Sequence, residues 1–356
     1  MSSSAENGRV DPADLTTFVA AVLDSLKVPG DDARTVAATM VDADLWGYET
    51  HGVFRLRQYV NRLRDGGTKA AAKPLVVAET AATAVIDGDN GLGHLAMHLA
   101  TRTAISKAQT AGVGWVGVRG NNHAGPLALY VQPMADKGMA GLAAAVGSAN
   151  HVPAFGGSEL LLGTNPIAVA VPAAGRPPFL LDMATTVASA GKIKTLAQRG
   201  EAMPEGWMVG ADGAPLTDPK RQSEGFLLPI GGPKGYGLAL AIALLAGSMN
   251  GAATGKSVVD FTNDTAQSAN TGQFVAALSL SAFGDAETIL ADAARLCAEL
   301  EASATLPGHD AVRIPGAERA KLHGDRLANG LPLRSNLRRV LDDIAHERGI
   351  STLATA

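Results

Sequence analysis

Apolar positions in the first 67 residues recur at steps of three and four, the spacing of one helix face. Phe18, Val19, Val22, Leu23 and Leu26 mark a first helix. Asp11-Pro12 opens it with an N-cap and a proline at the first helical position, and Pro29-Gly30 breaks it. Val36, Met40, Val41 and Ala43 predict a second helix that starts at Asp31 or Asp32 and ends at Gly47. Phe54, Leu56, Tyr59, Val60 and Leu63 predict a third, closed by Gly66-Gly67. The stretch from Tyr48 to Gly52 is left as a polar loop between them. Residues 1–10 carry no such pattern and read as a flexible tail.

Beyond this the pattern changes to short apolar runs. Strands are expected at Ala84–Asp87, Val113–Arg119, Met139–Val146, Ile167–Val171, Phe179–Leu181 and Gln273–Leu280. Helices are expected near 93–111, 234–248, 286–301, 316–328 and 334–348, and Asp212-Gly213 marks a tight turn. The small, polar residues 250–272 read as a mobile loop. No internal repeat and no regular βαβ alternation is visible. Helical ends around a strand-rich middle predict an α/β chain. Residues 11–75 and 302–350 would form one helical domain, with a mixed-sheet domain, 76–301, inserted between them.

Composition narrows the function classes. The chain has 356 residues, 46% hydrophobic and 18% charged, enough to bury a large core. A net charge of -4 and 4% aromatics offer neither a basic surface nor stacking platforms, so nucleic acid is not an expected partner. The single cysteine, Cys297, allows no intrachain disulfide or cysteine metal cluster, in keeping with a reducing cytoplasm. The first residues lack an apolar signal core, and the longest apolar run, Leu238–Ala246, is too short to cross a bilayer. The expected location is therefore cytoplasmic, with no membrane partner.

Two motifs invite a reading their context does not support. Gly112, Gly114 and Gly117 match G-x-G-x-x-G, but a predicted helix precedes them, whereas a dinucleotide fingerprint follows a strand and opens a helix. Small residues in a core strand explain them better. His94 and His98 lie four apart on a predicted helix. With no third ligand in the pattern, they read as helix-surface histidines and no metal is expected.

Four segments combine reactive side chains with turn residues. Thr50-His51-Gly52 is followed by Arg55 and, one turn on, Tyr59. The guanidinium can grip a carboxylate through two parallel hydrogen bonds, and the imidazole can exchange a proton near neutral pH. Gly120–Gly125 places His123 between a strand and a helix, whose start offers N–H groups for a phosphate. Gly163–Pro166 and Leu181–Thr186, with Ala190-Gly191-Lys192, form the third segment. Pro229–Gly237 is the fourth, with Lys234 as a glycine-flanked cation that lacks P-loop spacing.

Taken in order, these segments resemble the malate/L-lactate dehydrogenase family, which also holds sulfolactate, ureidoglycolate and Δ1-piperideine-2-carboxylate enzymes. The matching pieces are Thr50-His51-Gly52 with Arg55, His123-Ala124-Gly125, Gly163–Pro166, Asp182–Ala184, Gly191–Ile193, Pro229–Gly237 and Pro315–Glu318, over roughly residues 12–348. The resemblance implies a non-Rossmann cofactor domain, a homodimer, and hydride transfer on a small 2-hydroxy or 2-oxo acid. It implies NAD or NADP near His123, Ala124, Gly125, Pro126, Leu127, Ser148, Asp182, Met183, Ala184, Lys234, Gly316, Glu318 and Arg319. Substrate would lie near Arg55, Tyr59 and Thr164, with His51 or His123 as acid/base and Thr50 beside it. Thr50 stands where the family has serine, Ala124 where it has phenylalanine, Pro233 where histidine or tyrosine is common, and Ala317 separates Gly316 from Glu318. Reduction of a cyclic imine acid needs the same hydride and carboxylate clamp and is the nearest alternative; a non-catalytic binding protein on the same fold is another.

Overall fold

The computed structural model describes residues 8–354. The helices expected at the start form as α1 (Pro12–Ser25), α2 (Gly30–Leu45) and α3 (Leu56–Asp65). The Asp11 carboxylate caps α1, accepting the Ala13 N–H at 2.7 Å. Residues 8–10 are not a tail: they form strand β1 (Gly8–Val10), antiparallel to β13 (Leu331–Leu333) near the other end of the chain. Residues 1–7 lie outside the described part. The last helices, α9 (Ala317–Asn329) and α10 (Ser335–Arg348), also match expectation. Val19, Val36 and Met40 share one apolar cluster with Leu341 and Ile344, so early and late segments bury each other.

The middle of the chain forms a mixed seven-stranded sheet in a mixed α/β fold. Its strands are β2 (Leu75–Glu79), β3 (Thr83–Asp87), β4 (Val113–Asn121), β5 (Met139–Ala145), β8 (Ile167–Ala173), β9 (Arg176–Met183) and β12 (Thr271–Ser279). Their spatial order is β2-β3-β4-β12-β5-β8-β9, and only the β3–β4 pair is parallel. Helix α4 (Gly93–Ala111) returns the chain between those two strands, while α5 (Ala128–Ala135) packs beside it. Small residues let α4 lie close: a Cβ on Gly114 would stand 2.1 Å from the Ala104 carbonyl oxygen. One on Gly117 would meet Asn250 Oδ1 at 1.9 Å. The glycine motif is thus a tightly covered strand.

Two small hairpin-like pairs complete the site side. They are β6 (Val152–Pro153) with β7 (Leu160–Leu162), and β10 (Met208–Gly210) with β11 (Gly225–Leu227). With α6 (Ala190–Arg199) and α7 (Pro233–Ile242) they enclose a separate apolar cluster around Ile193 and Met208. The helix expected over 234–248 ends early: after Ile242 the chain continues as a π turn, Ala243–Gly247, and a 3-10 turn. Helix α8 (Ala286–Glu301) forms as expected. No helix among the described residues is long and apolar enough to cross a membrane.

Two further expectations are overturned. The polar stretch 250–272 is not a loose loop. Fully buried Arg62 donates to the carbonyls of Gly67 at 2.8 Å and Gln267 at 2.6 Å, and to that of Asp264. Its guanidinium lies 4.5 Å from the centre of the buried Phe261 ring. The order of this stretch comes from an arginine about two hundred positions earlier, which local composition cannot show. His94 and His98 are not on the helix surface either. His94 is fully buried, and His98 Nε2 meets Thr39 Oγ1 at 2.7 Å.

Candidate active site

The turn between α2 and α3 is pinned from below. Asp44, at the buried end of α2, accepts the Val53 N–H through Oδ2 at 3.0 Å. A Cβ on Gly52 would stand 2.1 Å from the other carboxylate oxygen, so only glycine lets the turn sit on that group. Burial pushes the Asp44 carboxyl up to about 8. Arg326 of α9 donates to the Asp44 carbonyl and pairs with Glu49 at 2.6 Å, tying the same turn to the late helices.

On this base the reactive groups converge. Arg55 closes a 3-10 turn, Val53–Arg55, ahead of α3. Its Nε donates to Thr50 O at 2.8 Å and its Nη1 to Gln58 Oε1 at 3.0 Å; Nη2 has no hydrogen bond among the described residues. His51 Nδ1 lies 2.9 Å from Thr50 Oγ1. Its ring stacks against that of His123, with centres 5.6 Å apart and planes inclined by 21°. Tyr59 is buried behind them, its hydroxyl 2.6 Å from His123 Nδ1. The Gly125 N–H also donates to that nitrogen, at 3.3 Å. A backbone N–H can only donate, so Nδ1 carries no proton and neutral His123 holds its proton on Nε2. Burial, followed by the charge of Arg55, lowers both imidazoles: His51 to about 3, and His123 well below the ordinary 6.5.

A cavity of about 440 Å³ opens over this group. Of the residues singled out from sequence, His51, Arg55, His123 and Thr164 line it. Ala124, Gly125, Leu127 and Ser148 line it too. Thr50, Tyr59 and Pro126 stand behind the wall. Met183 and Ala184, at the end of β9, are partly buried outside it. Asp182 is half-buried, and its carboxylate accepts the N–H groups of Ala128, at 2.9 Å, and Leu127. Burial pushes it up to about 6. The first N–H groups of α5 are therefore taken by Asp182, rather than open to a phosphate as the sequence suggested.

Gly316, Glu318 and Arg319 sit at the start of α9, where Arg319 lies 4.0 Å from the centre of the Tyr48 ring and donates to Trp46 O at 2.9 Å. Glu318 pairs with Lys321. Lys234 is exposed on the first turn of α7, apart from the cavity. Sequence reasoning passed over His151, Lys194, Gln222, Ser223 and Asp260, which line the cavity as well. Their segments carry no spacing signal and reach the cavity only through tertiary packing.

His94 adds a stability consequence. Both its ring nitrogens are buried without a hydrogen-bond partner, and burial lowers it to about 3 and His98 to about 4. An unfolded chain protonates these rings near 6.5, whereas the folded one does not. The stability they contribute is present above about pH 6.5 and is lost as pH falls toward their folded values. The Tm is expected to drop steeply between about pH 6.5 and about pH 4, with a shallower slope in His94→Leu. Calorimetry across that range showing parallel slopes for the two proteins would disprove the assignment.

Comparison with known proteins extends over nearly the whole chain. The profile of the family described as malate/L-lactate dehydrogenase matches residues 10–342. The malate dehydrogenase of Pyrococcus abyssi is 34% identical over 353 residues, covering 97% of this chain and 96% of that protein. The Δ1-pyrroline-2-carboxylate reductase of Ancylobacter novellus is 32% identical over 309 residues, 86% of this chain and 89% of its own length. The solved sulfolactate dehydrogenase of Methanocaldococcus jannaschii superposes with a TM-score of 0.89 at 35% identity, covering 97% of this chain and 98% of that one. The seven motifs in order, the shared fold and this full-length similarity make the chain an oxidoreductase belonging to the malate/L-lactate dehydrogenase family.

Proposed function

We propose that the chain transfers a hydride between NAD or NADP and C2 of a small 2-hydroxy or 2-oxo acid. The observation that carries this reading is one cavity into which Arg55 and two neutral, stacked histidines converge. The unshared edge of Arg55 holds the substrate carboxylate. His51, with Nδ1 on Thr50, keeps Nε2 free to take the hydroxyl proton in oxidation and return it in reduction. His123, protonated on Nε2, donates a hydrogen bond to the C2 oxygen. Thr164 borders the same space, and Tyr59 acts through His123.

When bound, nicotinamide supplies the hydride from or to its C4. Leu127 and Val146 give the cavity an apolar lining that suits such a ring, with Gly125 and Ser148 lining it as well. The remaining cofactor contacts are assigned to His123–Leu127, Ser148, Asp182–Ala184, Lys234, Gly316, Glu318 and Arg319. We read the helices from both ends, 11–75 and 302–350, as one domain around an inserted, non-Rossmann cofactor domain, 76–301. The single parallel pair in its sheet supports that reading.

Absorbance of the reduced cofactor, followed with a panel of 2-oxo acids and cyclic imine acids, tests the reaction. Turnover of no 2-oxo acid with either nucleotide would refute it. The same assay on Lys234→Ala reads the cofactor KM, and an unchanged value would remove Lys234 from the cofactor contacts. Reduction of a cyclic imine acid is the second reading. It is favoured by Ala124 at the cavity wall, where a small side chain leaves room for a ring, and turnover confined to the imine acids would establish it. A homodimer is also proposed. Leu240, Leu244, Leu245 and Met249 form an exposed apolar stripe along α7 and the turns after it. Light scattering should give twice 36.2 kDa; a stable species of 36.2 kDa at micromolar concentration would contradict it.

A further inference from the structure

The cavity has a second cation besides Arg55. A Cβ on Gly191 would stand 3.1 Å from the Thr50 side chain, so the first turn of α6 lies directly on the Thr50-His51 turn. Lys194 follows Gly191 by three residues. It therefore projects from the same helix face about 4.5 Å further along the axis, and both residues line the cavity. The neighbouring lysine is engaged elsewhere: the Lys192 ammonium lies 4.8 Å from the centre of the Trp207 ring. Unlike Lys256, which pairs with Glu159 at 2.8 Å, Lys194 makes no ion pair among the described residues.

The surroundings suit an anionic group. His151 lines the same cavity; burial lowers its imidazole, Asp260 opposes that and the Lys194 charge adds to it. Gln222 and Ser223 also line the cavity and add neutral hydrogen-bonding groups. Asp260, the carboxylate nearby, already accepts the N–H groups of Thr262, at 2.9 Å, and Asn263, at 3.1 Å, as well as Asn263 Nδ2. Two cations that line one cavity, Arg55 and Lys194, would read the two ends of a short molecule separately.

We propose that Lys194 is a specificity-determining residue that binds a second anionic group, carried on C3 of the substrate, while Arg55 holds the C1 carboxylate. The assignment rests on the reaction proposed above. It makes a dianionic acid the preferred substrate over one ending in a hydrocarbon.

The test compares oxaloacetate with pyruvate in the wild-type protein, Lys194→Met and Lys194→Arg. The methionine variant is expected to lose about 10–100-fold in kcat/KM on oxaloacetate, the range of one hydrogen bond to a charged group. On pyruvate it should change less than about threefold, and the arginine variant should keep most of the oxaloacetate activity. Equal losses on both acids would overturn the assignment. A raised KM for the reduced cofactor with either acid would also overturn it, by placing a cofactor phosphate on the lysine. If the wild-type protein turns over neither acid, the proposed reaction is at fault, and a binding measurement still reads the lysine. Malonate should raise the wild-type Tm more than acetate does, and that excess should vanish in Lys194→Met. An equal malonate shift in both proteins would refute the proposal.

Discussion

His51→Ala is expected to lower kcat by about 10²–10⁴-fold, the usual contribution of a positioned general acid or base, with little change in substrate KM. The imidazole is held neutral by burial and by Arg55, with its Nδ1 on Thr50. It is thus ready as a base for the oxidative direction at every pH above its lowered pKa. Oxidation should therefore show no histidine limb between about pH 8 and about pH 5 in kcat/KM, because the free protein titrates well below that window. Reduction needs the protonated ring. A carboxylate on Arg55 cancels the charge that depresses His51, so acid binding itself favours proton uptake. Steady-state kinetics of His51→Ala and His123→Ala on one substrate decide between the rings. A wild-type kcat in the first and a collapsed one in the second would reverse their roles.

Arg55→Met is expected to raise KM for the acid about a hundredfold or more, since it removes two charge-assisted hydrogen bonds to the carboxylate at a half-buried site. The kcat should fall much less. Arg55→Lys should recover only part of the loss, because an ammonium cannot make the paired contact. The methionine variant should also shift the reductive pH profile toward higher pH, since the cation that disfavours His51 protonation is gone. An unchanged KM in Arg55→Met would place the carboxylate elsewhere in the cavity.

How far the sequence could be read depended on whether a signal was local. The terminal helices were legible because capping residues and apolar spacing act within a few positions, as with Asp11-Pro12 and Phe18–Leu23. Strand β2 was not, because all five residues of this edge strand are exposed and show no alternation. Helix α6 was missed because its sequence mixes small and charged residues. The burial of His94 did leave a trace: it precedes Met97, Thr101, Ala104 and Ala108 at steps of three and four, and all are buried. The segments holding His51, Arg55 and His123 stood out as polar turns between apolar elements. Lys194 and Asp260 did not, since each reaches the cavity through contacts far apart in sequence.

The apolar cluster shared by the two ends of the chain bears on how the protein is made. Val36 and Met40 are complete only when Leu341 and Ile344 arrive, some three hundred residues later. At about 5–20 residues per second, a ribosome leaves the early helices without those partners for roughly 15–60 s. The central sheet, whose strands end at Ser279, can pair before then. Synthesis thus exposes a sticky helical surface on every nascent chain, and that interval is where a chaperone or low temperature should most improve the yield of folded protein.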